Sequence, residues 1–388
     1  MPYQYSMNML PMGRSLSFAT EGETVDVQTR GFVTSEDGAE FTRFADGFSS
    51  ECPMLAGRGG QIRESQIDHL LTIIRPDKTV LAYCNELRIF SQMRPKKGVK
   101  KGQEIYKSDI ADIASLELET ESGEKVAFPD DCGIAFLFSV GWKKGVFFDY
   151  EPICPQGSKR QGSLSETLGQ LYGRLLFSEY RLLDEADWDQ LFDWGLFPFT
   201  SLDPKRQETL FVCAKRKQLP PSVARSICDD VAVLIAERAD VWAQSQLFAP
   251  HIDFIRIASS NYLRGDYVSA IQVLYPRIEG VLRECLNIVA PRLAANQTNL
   301  ARHATVNTHD DSLLLPLRFE RFLLRFYFRN FDVRSGDTPL SRHSIAHGVA
   351  KVGDFEAIKA AIGFLIVDQV YFYGAGCSSK TIAQPACT

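Results

Sequence analysis

Along the chain the apolar positions follow one period up to about residue 150 and another after it. "LLTIIRPDKTVLAYC" sets two runs rich in β-branched and aromatic residues around Pro76-Asp77-Lys78, which predicts two strands joined by a turn with Pro at its second position. "SLELET" and "KVAF", separated by the turn-prone "ESGE", predict two more, and "GIAFLFSVGWKKGVFFDY" predicts a pair about "GWKKG". Residues 1 to about 65 carry Gly, Ser, Thr and Glu with short apolar pieces, "RGFVT" and "AEFTRFA", which suit irregular structure or short strands.

After "EPICPQGSKRQGS" the period becomes helical. Leu164, Leu168, Leu171, Leu175 and Leu176 recur on one face, with Ser163 as N-cap and Glu166 completing a capping box. "DEADWDQLFDWG" predicts a short helix whose aromatic residues are core. From Pro220 nearly everything reads as helix: Val223, Ile227, Val231, Leu234 and Ile235 line one face, and two further helices meet at Gly265-Asp266. A polar link, "ANQTNLARHATVNTHDDS", leads to "LLLPLRFERFLLRFYFRN" and to a closing helix with Phe355, Ile358, Ile362, Leu365, Ile366 and Val370 in step. The expected class is therefore α+β. It comprises a β-rich N-terminal domain (1–155), a helical connector (156–245), an all-α bundle (246–375) and a disordered tail (376–388).

Composition narrows the function classes. With 388 residues, 45% hydrophobic and 23% charged, the chain is globular and large enough for two cores. A net charge of −5 argues against a surface that coats nucleic acid or anionic membrane, so a polyanion site must be a local patch. The nine cysteines are scattered without a C-x-x-C pair and read as reduced thiols in a cytoplasmic setting. The N-terminus lacks a basic and then apolar leader, and no stretch reads as an uninterrupted apolar span, so no membrane is expected.

Chemistry concentrates in "SRHSIAHG", which holds Arg342, His343 and His347. Ser341 is placed to cap a short helix and Gly348 to end it. Imidazole exchanges a proton near neutral pH, and guanidinium offers a fixed fork of donors to phosphate oxygens, so the pair suffices for metal-free attack of a 2′-hydroxyl on its phosphate. The same Arg-to-His spacing also occurs from Arg63 to His69 and from Arg302 to His309. Spacing alone therefore does not distinguish a site, but only "SRHSIAHG" lies between two strongly patterned helices.

In that setting the segment resembles the signature of the HEPN superfamily: Arg, a polar residue, three more residues, His and commonly Gly. The resemblance covers roughly residues 247–375 and includes "GDYVSAIQVLYPRIEGVLREC", similar to the family's early helix with an acidic residue, here Glu279. It implies a helical-bundle, metal-independent endoribonuclease that needs no cofactor and dimerises so that two motifs face one cleft. Arg342 and His347 would be catalytic, with His343 as polar partner. It further implies RNA as substrate and a toxin-like or antiviral defence role with a regulatory partner or phage-derived trigger, the N-terminal domain being regulatory. Two readings stay open beside it, a non-catalytic HEPN-like module that binds nucleotide, RNA or a protein, and a purely structural bundle.

Arg318, Arg321, Arg325 and Arg329 step by three, four and four, which predicts a guanidinium stripe able to track RNA, or one that pairs with nearby carboxylates. "RPKKGVKK" at 94–101 reads as a solvated hairpin tip. No metal site is expected: "HSIAH" lacks the Glu of H-E-x-x-H, and neither a phosphate loop nor a nucleophile elbow occurs. Cys132 reads as a small buried residue.

Overall fold

The structure, a computed structural model, describes residues 2–50, 66–155, 157–306, 308–332, 334 and 339–380. Its backbone divides into two compact units, Met1–Met93 with Ile113–Phe177, and Arg94–Asp112 with Ser178–Thr388. The first is built on a sheet and the second is helical, a mixed α+β fold.

The sheet unit is organised on six antiparallel strands in the order β1-β6-β5-β9-β10-β4: β1 (Tyr3–Ser6), β4 (Arg30–Thr34), β5 (His69–Ile74), β6 (Thr79–Cys84), β9 (Gly133–Val140) and β10 (Lys143–Asp149). β2 (Arg14–Ser15) pairs with β3 (Val27–Gln28), and β7 (Leu87–Pro95) with β8 (Ile110–Thr120). Alternation sorts the side chains of the sheet between two cores. Leu70, Ile74, Leu137, Val146 and Phe148 pack with Phe41, Phe44 and Phe48 of α1 (Ala39–Ser50). Leu71, Ile73, Phe136, Phe138 and Phe147 pack with Leu164, Leu168, Leu171 and Leu175 of α2 (Leu164–Leu176). Burial on both faces is why "HLLTII" and "GIAFLF" read as nearly continuous apolar runs.

Three expectations shift here. "AEFTRFA" belongs to helix α1, whose Phe41, Phe44, Ala45 and Phe48 fall at helical spacing and are all buried. "KVAF" forms only an isolated bridge, Lys125 with Glu119 near the end of β8. The predicted connector is divided: α2 groups with the sheet because its leucines complete the second core, and the helices after Ser178 group with the bundle. Both hairpin turns lie where Pro76-Asp77-Lys78 and Gly141-Trp142 place them, with Lys78 and Gly141 at positive φ. Cys132, Cys154, Cys213 and Cys228 are free thiols, and at Cys132 burial and the neighbouring Asp131 push the thiol up to about 11.

His69, partner of Arg63 in one of the look-alike spacings, is buried in β5, and Arg63 lies outside the described residues. Its Nε2 accepts the Leu87 N–H at 2.8 Å, so the ring must stay neutral, and burial lowers its pKa below 6.5 against the weaker opposing pull of Asp68. A base with a lowered folded pKa gives stability that is present above pH 6.5 and lost as pH falls toward the folded value, since the unfolded chain then binds more protons. NMR titration of the His69 ring is expected to give a midpoint below 6.5 with Nε2 unprotonated at neutral pH. A midpoint at or above that value contradicts the assignment.

The helical unit contains α3 (Glu185–Asp193), α4 (Pro204–Lys215), α5 (Pro221–Gln244), α6 (Ile252–Leu263), α7 (Tyr267–Val289), α8 (Gln297–His303), α9 (Pro316–Phe322), α10 (Arg342–Ala346) and α11 (Ala357–Lys380). α11 is its central helix and packs on α5 and α7. The segment Ala357–Gly374 is long and apolar enough to cross a membrane, and 72% of it is buried within the protein. α11 also runs through residues 376–380, expected as tail, and residues 381–388 lie outside those described.

Candidate functional site

The short helix α10 owes its position to its caps. Ser341 Oγ accepts from Ser344 N–H, and Ser344 Oγ accepts from Ser341 N–H at 2.9 Å, a reciprocal box with both serines fully buried. At the other end Gly348 adopts φ +68°, and Gly348 N–H and Val349 N–H donate to Ile345 O and Ser344 O. Ile345 is buried, so α10 is anchored along one side and offers Arg342, His343 and His347 on the others.

Helix α7 meets these residues with Glu279 and Arg283, one turn apart. Glu279 is nearly buried, and its carboxylate is shared: Oε1 accepts from Arg283 Nε at 3.0 Å and Nη2 at 2.6 Å, while Oε2 is engaged by Arg342 Nε. Two guanidiniums on one carboxylate leave a surplus positive charge. Tyr327 supports α7 from the π turn Leu323–Tyr327 that continues α9, its hydroxyl donating to Tyr275 O at 2.6 Å. Gly280 is required beside Glu279 because a Cβ there would stand 2.5 Å from the His251 ring.

These groups border an open pocket of about 390 Å³, completed by Asn296, Gln297 and Thr298 at the start of α8 and by Phe328. The His343 ring meets the Gln297 side-chain amide; burial first, and then the Arg342 charge, lower its pKa, so it is neutral at neutral pH. His347 lies at the C-cap of α10, exposed, its ring nearly parallel to that of His343 with centroids 6.5 Å apart, and against Phe331 at 5.6 Å. It is not among the residues lining the pocket. The structure thus brings Arg342, His343 and Glu279 together and sets His347 beside them.

The arginine stripe faces a different set of partners. Arg318 and Arg321 bind Glu185, Arg321 and Arg325 bind Asp189, and Arg325 binds Asp193 at 2.8 Å, the three acids being an i, i+4, i+8 ladder on α3. The two arginines hold the Glu185 carboxyl down to about 2. Arg318 and Arg321 of α9 and Arg325 of the π turn therefore pair with the carboxylates of α3, the alternative the sequence left open. Arg329 follows the π turn, past the helix end and out of step with the others. Arg302 pairs with Glu320 at 3.5 Å, and His309 lies beyond α8 in a turn, so that look-alike spacing builds no site.

The sequence reading missed Arg283 and Gln297. Arg283 was signalled by its i, i+4 spacing from Glu279, and Gln297 by Asn296, which caps α8 through Asn299 N–H. Among the described residues no group of three His, Cys, Asp or Glu is arranged to hold a metal. No family model, no curated protein and no solved structure matches this chain.

Proposed function

We propose that the helical unit is a metal-independent endoribonuclease of HEPN type. The observation that carries this reading is the buried Glu279 carboxylate, which orients the Arg342 and Arg283 guanidiniums at a pocket beside a neutral His343, with His347 on the same helix. Arg342 and Arg283 hold the scissile phosphate and the charge that develops on it. His347 acts as general base or acid, taking the 2′-hydroxyl proton as its oxygen attacks phosphorus or protonating the leaving 5′-oxygen, and His343 positions it. The products are a 2′,3′-cyclic phosphate and a 5′-hydroxyl. The resemblance extends the reading to a homodimer with two motifs in one cleft, controlled by the sheet unit and acting as a toxin or antiviral defence effector.

Incubation of the purified chain with total RNA in EDTA is expected to yield fragments ending in 2′,3′-cyclic phosphate. Ends bearing 3′-hydroxyl, or intact RNA, overturn the mechanism. A second reading, a non-catalytic pocket for a nucleotide or RNA phosphate, draws on His347 standing outside the pocket lining. It predicts RNA binding with no new ends, with or without EDTA.

A further inference from the structure

We propose that the helical unit holds a second binding site, a pocket between α5, α11 and the loop at Ser201 that takes a small zwitterion of the α-amino-acid class. Arg238 Nε donates to Asp368 Oδ1 at 2.7 Å, and Trp242 Nε1 donates to the same oxygen at 2.8 Å. Two other polar atoms of this pair, Arg238 Nη2 and Asp368 Oδ2, are buried without a hydrogen-bond partner. Ser201 Oγ stands beside the carboxylate but outside hydrogen-bond geometry. Native interiors leave few polar groups in this state, and an Arg–carboxylate pair ordinarily closes both of its bonds. Here one side of the pair stays open, and it borders a cavity of about 220 Å³.

The open side presents one donor cation and one acceptor anion. Lys96 also lines the cavity, its ammonium donating to Leu202 O at 3.3 Å, so within the exposed segment 94–101 this side chain is itself half-buried. Burial holds the Lys96 pKa down to about 8, against the pull of Asp203 and Asp109. A ligand carboxylate accepts from Arg238 Nη2 and Lys96, and a ligand ammonium donates to Asp368 Oδ2 and Ser201. A plain anion would face Asp203, Asp230 and Glu237 at the same cavity, and a plain cation would face Arg238 and Lys96. Val233, Leu234 and Phe372 supply an apolar wall. A volume of 220 Å³ holds about seven waters, or one molecule of leucine size.

Titration calorimetry of the full chain with L-leucine is expected to show saturable one-to-one binding. N-acetyl-L-leucine and L-leucinamide, each lacking one charge, should bind roughly tenfold to a hundredfold more weakly, because each leaves a buried charged group unpaired. Val233 is 59% exposed, so Val233→Phe should fold with an unchanged melting curve and lose leucine binding by obstructing the cavity. The proposal fails if leucine and every other apolar L-amino acid give no binding, if the blocked analogues bind equally, or if Val233→Phe binds as the parent does. A crystal structure at saturating leucine with only waters between Arg238 and Asp368 also overturns it. The pocket shares no lining residue with the Arg342 site, so the two tests fail separately.

Discussion

Replacing His347 with alanine is expected to slow RNA cleavage by roughly a hundredfold to ten-thousandfold, the usual contribution of a positioned acid or base, with no change in the melting curve. The fold does not depend on this side chain: it is exposed, and the backbone N–H that bonds His343 O survives the substitution. Arg342→Ala should be equally inactive for a different reason. It removes a guanidinium from the phosphate position, but Glu279 keeps Arg283 as partner, so no buried carboxylate is orphaned. Arg342→Lys retains charge without the planar fork and should recover only a small part of the rate. RNA affinity separates the competing readings. If His347→Ala binds RNA as the parent does and only cleavage is lost, the residue acts on the proton. If the folded variant cleaves at the parent rate, the nuclease reading is wrong.

How much of this was legible in the sequence depends on whether the information was local. Period and turn chemistry are local, so the hairpins at Pro76 and Gly141, the leucine face of α2 and the caps Ser341 and Gly348 could be read directly. The helix α1 is equally local but short and flanked by polar text, so its phenylalanines read as scattered apolar pieces. Contacts between distant segments carry no such signature. Arg318, Arg321 and Arg325 form an evident stripe, and so do Glu185, Asp189 and Asp193, but only the packing of α9 on α3 turns two charged faces into one neutral interface. Lys96 likewise read as a solvated tip because its partner, Leu202 O, lies more than a hundred residues away. The site divides the same way: Arg342 and His343 were visible as a motif and Glu279 as an acid in the right helix, while Gln297 needed the folding of a link that looked like coil.

The largest stability effect is expected at Asp368. Asp368→Ala should cost about 3–5 kcal/mol, since it breaks a buried pair by removing one partner, and lower the melting temperature by on the order of 10 °C. Asp368 is fully buried on α11, and its loss strands the Arg238 guanidinium and the Trp242 N–H together. Arg238→Met should cost less, because the two partners differ in what they can do when left alone. A guanidinium cannot shed its proton, whereas burial already pushes the Asp368 carboxyl upward against the pull of Arg238, so without the arginine it takes up a proton and becomes neutral. A carboxyl with a raised folded pKa gives stability that is complete below its unfolded value and lost as pH rises through the folded one, so Arg238→Met should weaken as pH increases. Combining Arg238→Met with Asp368→Leu fills the site with apolar groups of similar size and should regain most of the loss and remove that pH dependence. Urea unfolding of the three variants across pH decides the matter. If Arg238→Met is the more damaging single change, or if the double variant is no better than Asp368→Ala, the pair is held by something other than mutual neutralisation.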